Sequence, residues 1–267
     1  MDLGTLFGLL LSLVVITIVM IMDGGSPAEL FLHPQAILLT LGGSFLATAI
    51  STPLSVALAL PKLIGLAFKG DKTEPAAAIE TLVKMADRAR RDGLLALEDE
   101  SKKISDPFLR KGLMLVVDGV DPAQVRAIIE TEIHNMEKRH AQGIGMFSAA
   151  GGFAPTFGII GTVMGLITVL QQLDEPSKLG KAIAGAFLAT LWGLLSANLI
   201  WLPLGSKLRN KSEHEVVYRE MLLEGILALQ AGENPRLVKE KLSAFLAPKA
   251  RAGEPVSGSP AKAGTKA

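Results

Sequence analysis

Four stretches of the chain carry no Asp, Glu, Lys, Arg or His: Leu3 to Met22, Pro34 to Pro61, Ala141 to Leu173 and Ala182 to Ser206. Each reaches the roughly 20 apolar residues that a helix needs to cross a hydrocarbon core about 30 Å thick. The pattern predicts four transmembrane helices. Elsewhere apolar positions recur at helical spacing. Thr73, Glu74 and Pro75 open a run to Arg91 in which Ile79, Leu82, Val83 and Ala86 share one face, and Asp92-Gly93 closes it. Asp118-Gly119 reads as a turn, and Asp121-Pro122 as an N-cap with proline at the first helical position. Val125, Ile128, Ile129, Ile133 and Met136 then form a stripe leading into the third span. After the fourth span, Val216 to Leu246 is amphipathic with a break at Gly232-Glu233-Asn234-Pro235, and Pro248 to Ala267 has the composition of a disordered tail.

The expected fold is therefore an all-α membrane protein. Transmembrane helices one and two occupy residues 1–61, a large helical domain 62–140, helices three and four 141–206, C-terminal helices 207–247 and the tail 248–267.

Basic residues orient these elements. Asp23 to His33 has no Lys or Arg, and Asp174 to Lys181 has only Lys178 and Lys181, whereas Lys62 to Gly145 holds fourteen. Lys207, Arg209 and Lys211 follow the fourth span. The positive-inside rule places both termini and the large loop in the cytoplasm, as in a multi-pass protein of the bacterial inner membrane. The first span lacks a basic n-region and is too long for an h-region, so it is not read as a cleaved signal peptide.

Composition narrows the chemistry. Of 267 residues 49% are hydrophobic and 20% charged, with a mean hydropathy of +0.39, which suits a membrane protein carrying a sizeable polar part. Cysteine is absent, which excludes disulfides, thiolate metal sites and a cysteine nucleophile. A formal net charge of +1 gives no global basic field to attract nucleic acid. His33, His134, His140 and His214 are scattered, with no metal-binding spacing, and no Walker sequence is present. No catalytic residue, cofactor or fixed metal is expected, and an enzyme is not the reading. None of the four spans contains an ionisable residue, so if the protein moves ions a partner must supply the titrating group.

The third and fourth spans hold the candidate site. Pro155 removes the N–H that would bond the Gly151 carbonyl, and Pro203 does the same for Leu199; each marks either an ordinary kink or a carbonyl free to meet water or an ion. Thr162 and Thr190 place hydroxyls in apolar surroundings, either for such a path or for a bond back to their own helix. Gly158, Gly161, Gly165, Ala186, Ala189 and Gly193 allow backbones to approach closely, and a partner helix is expected in the seam they form.

Several segments carry a resemblance when taken in order. They are "TLGGSF" in span two, "RRDGLLALE" from Arg90 to Glu98, "LVVDGVDP" ending at Pro122, "PTFGIIGTVMGL" in span three, "ATLWG" and "WLPL" in span four, and "ILALQAGENPRLVKEKL" near the C-terminus. The chain resembles the MotA/PomA/MotP family, the A subunit of the flagellar motor stator, over roughly residues 1–247, and more distantly the ExbB/TolQ energisers. The resemblance implies a pentamer around a dimer of a B subunit whose single-span helix bears an ion-binding aspartate, all surrounded by membrane lipid. Ion passage would turn the A ring and drive the rotor of the flagellar C-ring. Pro155 and Pro203 match the two prolines where ion passage is coupled to helix movement. Arg90 and Glu98, by themselves a solvated helix face, match the charged pair facing the rotor switch protein.

Thr190 resembles a threonine found broadly in the family. Thr162 stands where proton-driven members have alanine and sodium-driven members threonine, so the resemblance favours transient sodium near both hydroxyls over the proton. The alternatives are an ExbB/TolQ-like proton-driven energiser of outer-membrane processes, against which the first two spans and "AGENPRLVKEKL" count, and a permease or scaffold without ion-coupled rotation.

Overall fold

A computed structural model describes residues 3–70, 74–171, 173–174 and 176–248. Among the described residues every regular element is helical. Four of the described helices are long and apolar enough to cross a membrane. The chain divides into two compact units, residues 1–71 with 138–212 and residues 72–137 with 213–267.

In the first unit α1 (Leu3–Met22) matches its charge-free run end to end. The second run is not one span. Helix α2 (Pro34–Ile37) passes through a π-turn (Leu38–Gly42) into α3 (Gly43–Ser51), where the helix stops. Thr52 is extended (φ −119°, ψ 140°) because the ring of Pro53 disfavours a helical conformation in the residue before it. Single-turn α4 (Leu54–Ala57) and α5 (Leu60–Phe68) follow, carrying helix beyond the expected boundary at 61. The spanning segment is thus Pro34–Ser51.

In the second unit α6 (Pro75–Asp92) ends at Gly93, whose φ of +82° suits a residue without Cβ. A 3-10 turn (Leu94–Leu97) leads to α7 (Glu98–Ser101), and α8 (Pro107–Val117) ends before Gly119 at φ +74°. Thr73, expected to help open α6, lies outside the described residues, as does the tail beyond 248.

Two helices continue through the boundaries drawn at 140 and 206. Helix α9 runs unbroken from Pro122 to Gln171 and contains Pro155. Asp121 caps it, its carboxylate accepting from the Ala123 N–H at 2.9 Å. Helix α10 (Pro176–Leu195) passes through a π-turn (Ser196–Trp201) into α11 (Leu202–Gln230). The expected break near 232 is present, and Asn234 caps α12 (Pro235–Ser243).

The core of the second unit is built from long aliphatic side chains: Leu82, Leu97, Leu113, Ile129, Leu222, Ile226 and Leu242 are fully buried. Each contributes roughly 1.5–3 kcal/mol of burial. Of the stripe on α9, Val125, Ile129, Ile133 and Met136 are buried, but Ile128 is 39% exposed because it falls off the buried face. Val83 is likewise only half-buried. The first unit packs through smaller groups, with Ala57, Ala67, Ala150, Ala154 and Ala197 around Phe147 and Trp201. Small residues suit a membrane, where packing rather than escape from water holds helices together.

Candidate functional site

Helices α9 and α10 meet along the six small residues. A Cβ added to Gly193 would lie 2.7 Å from the Ala154 carbonyl oxygen and 3.0 Å from the Gly158 Cα. One at Gly158 would lie 3.0 Å from the Ala189 oxygen, and those at Gly161 and Gly165 would lie 2.6 Å from the Cβ atoms of Ala189 and Ala186. These residues, expected to pack against a partner helix, meet one another within the chain. Gly158, Gly161, Gly165, Ala186, Ala189 and Gly193 let the chain's own α9 and α10 approach backbone to backbone.

Thr162 and Thr190 face each other across that seam, their hydroxyls in mutual contact. The Thr162 hydroxyl also lies 3.0 Å from the Ala186 carbonyl oxygen and 3.2 Å from that of Gly158, and the Thr190 hydroxyl 3.3 Å from the latter. The bond back to the preceding turn is therefore only one of several. Two hydroxyl and two carbonyl oxygens cluster between the helices, with no carboxylate or histidine beside them in the apolar runs. Such oxygens are the ligand type that a hard cation requires. No group of acids and histidines suited to a resident metal occurs among the described residues.

The two prolines belong to a second contact. Pro155 is half-buried in α9, and Pro203 is exposed in the first turn of α11. The π-turn immediately before Pro203 widens the helix where the ring would crowd the carbonyl four residues back. Gly151, whose carbonyl loses its donor to Pro155, packs on this turn: its added Cβ would lie 2.6 Å from Leu202 and 3.4 Å from Trp201. The Trp201 Nε1 is buried and has no hydrogen-bond partner. The turn of α9 before Pro155 thus packs against the end of the π-turn that precedes Pro203.

Arg90 and Glu98 lie apart from this seam, in the second unit. Arg90 is exposed in the last turn of α6. Glu98 is exposed at the start of α7 and accepts from Lys102 at 2.7 Å. That bond raises the Lys102 ammonium above its ordinary value. Arg88, two residues before Arg90, pairs with Glu100 and ties α6 to α7.

Sequence reading did not find three further contacts. The Trp192 Nε1 donates to the Leu30 carbonyl at 2.8 Å while Phe31 packs edge-on against the indole, which fixes the connection after α1 to α10. Tyr218 donates to Asp106 at 3.3 Å, and Arg126 pairs with Glu224 at 2.9 Å. Their partners are 162, 112 and 98 residues apart, beyond the reach of any local spacing rule.

A profile of the MotA/TolQ/ExbB proton channel family matches residues 100–221. Motility protein A of Treponema phagedenis is 38% identical over 249 residues, covering 93% of this chain and 95% of the relative. Chemotaxis protein PomA of Vibrio alginolyticus is 37% identical over 246 residues, covering 92% and 96%. The solved C. jejuni MotAB structure superposes with a TM-score of 0.89 at 31% identity over 93% of this chain and 97% of that one. The flagellar MotAB stator complex from Bacillus subtilis gives 0.87 at 36%, with the same shares covered. These relatives are stator and ion-channel components rather than enzymes, and similarity on this scale makes the chain a member of the MotA/PomA/MotP family, the A subunits of the flagellar motor stator.

Proposed function

We propose that this chain is the ring-forming subunit of an ion-driven stator, assembled as a pentamer around two copies of an aspartate-bearing B subunit. The observation that carries this reading is the oxygen cluster at Thr162 and Thr190, in helices without an ionisable side chain in their apolar runs. Such a site can ligate a cation in passing but cannot take up a proton, so the titrating carboxylate comes from the partner. The partner's helix lies beside the α9–α10 pair, not between its members. Sodium is the favoured ion, because a partly dehydrated cation needs several oxygens at once whereas a proton needs only a carboxylate and water.

Movement of α9 against α11 at the turns around Pro155 and Pro203 couples ion passage to rotation. Arg90 and Glu98 face the rotor from the cytoplasm. Exposed ion pairs contribute only about 0–1 kcal/mol, which favours steering and rapid release over tight attachment. The distribution of Lys and Arg supports cytoplasmic placement of both termini. Swimming speed in a complemented stator-null host, measured against sodium concentration and against a protonophore, tests the ion. Speed should follow sodium and survive the protonophore; full motility without sodium that the protonophore abolishes would assign the proton.

A further inference from the structure

An open cleft of about 710 Å³ lies between α2, the end of α9 and the start of α10, wholly within the first unit. Its lining is sorted along its length. His33, Gln35, Thr168 and Lys181 line it towards the ends where α2 and α10 begin and α9 stops, while Leu39, Gly161 and Ala189 line it further along the same helices. From Lys181 to Ala189 the rise along α10 is about 12 Å, and from Gly161 to Thr168 along α9 about 10 Å. Glycine and alanine in the walls leave the cleft open.

Charge at the polar end is one-sided. Among the described residues no carboxylate lines the cleft, and Lys181 has no ion pair or hydrogen bond. The His33 ring is held against the wall by Gly185, where an added Cβ would come 3.1 Å from Nδ1. A cationic mouth over an apolar channel, set at the ends of membrane-crossing helices, matches an amphiphile with a negative headgroup. A zwitterionic headgroup would find no carboxylate among the described lining residues for its cationic part.

We infer that this cleft binds one anionic phospholipid, its phosphate on Lys181 beside His33 and Gln35, and an acyl chain along Leu39 and the small residues of α9 and α10. The site requires only that the first unit lies in a bilayer, and its test does not depend on rotation.

The test is native mass spectrometry of the full-length chain, in the assembly in which it purifies, with phosphatidylglycerol and phosphatidylcholine of identical acyl chains at equal concentration. Phosphatidylglycerol should be retained in preference. Lys181→Gln should reduce its retention about fivefold, as expected for one lysine at a membrane surface, without changing that of phosphatidylcholine. Lys181→Arg should restore it, and Ala182→Phe should reduce retention of both lipids by filling the cleft. Equal retention of the two lipids, no effect of Lys181→Gln, or comparable retention of glycerol phosphate without acyl chains would overturn the assignment. A changed subunit count in Ala182→Phe with lipid retention unaltered would instead give the cleft to another copy of the chain. If Ala182→Phe does not fold, the Lys181 pair decides the matter, since that side chain is exposed.

Discussion

Tyr218 is the only tyrosine in the chain, and burial, reinforced by the Asp106 carboxylate, pushes its phenol up to about 12. The folded state therefore favours the neutral form relative to an unfolded value near 10. The stability that this supplies is complete below pH of about 10 and is lost as pH rises through about 12. Tyrosinate absorbance in the native protein should thus rise well above the pH at which it rises after denaturation. Asp106→Asn should lower the native midpoint while leaving part of the shift, because the charge is gone and burial remains. A native midpoint near 10 would show that Tyr218 is solvated.

The threonine pair gives a sharper residue-scale test. Thr162→Ala removes one of four clustered oxygens and should abolish sodium-driven swimming, whereas Thr162→Ser keeps the hydroxyl and should retain part of it. Unchanged speed in Thr162→Ala would remove this residue from the ion path. Both threonines stand out in sequence as hydroxyls in apolar runs, but their contact is a property of how α9 and α10 close, which no spacing along one helix reveals.

At the scale of elements, absence of charge is a good guide to where a helix can cross a membrane and a poor guide to where it stops. It marks α1 from end to end, yet the run from Pro34 to Pro61 conceals the stop at Ser51 because Thr52 and Pro53 are uncharged. The signal was stereochemical and lay in the proline. The small-residue seam was legible as close packing, but which helix fills it was not, since glycine offers the same surface to any neighbour. Gly193→Ala should cost about 1–3 kcal/mol because its Cβ meets backbone atoms of α9, which cannot swing aside. Gly8→Ala on α1, with open space around it, should lie within about 0.5 kcal/mol of the parent. Thermal unfolding in detergent compares the two, and equal stability would mean that the seam is looser than its geometry.

At the scale of the whole molecule, the division into two units parallels the proposed division of labour. The first unit carries the oxygen cluster and the proline turns; the second carries Arg90 at the end of α6 and Glu98 at the start of α7, joined through Gly93, the buried Leu97 and the Arg88–Glu100 pair. Arg90→Glu or Glu98→Lys should lower torque without lowering membrane assembly, because both side chains are exposed, and a matching reversal on the rotor should recover part of it. Full torque in both reversals over a range of salt concentrations would place the rotor contact elsewhere. The central claim is that this ring turns only with a carboxylate supplied by its partner. Rotation of tethered cells lacking their own stator genes, and expressing this chain with its B-type subunit, tests it most directly: rotation should occur with the native partner and cease when the partner's membrane aspartate becomes asparagine. Continued rotation with that asparagine, or none with the native pair assembled in the membrane, would contradict the account.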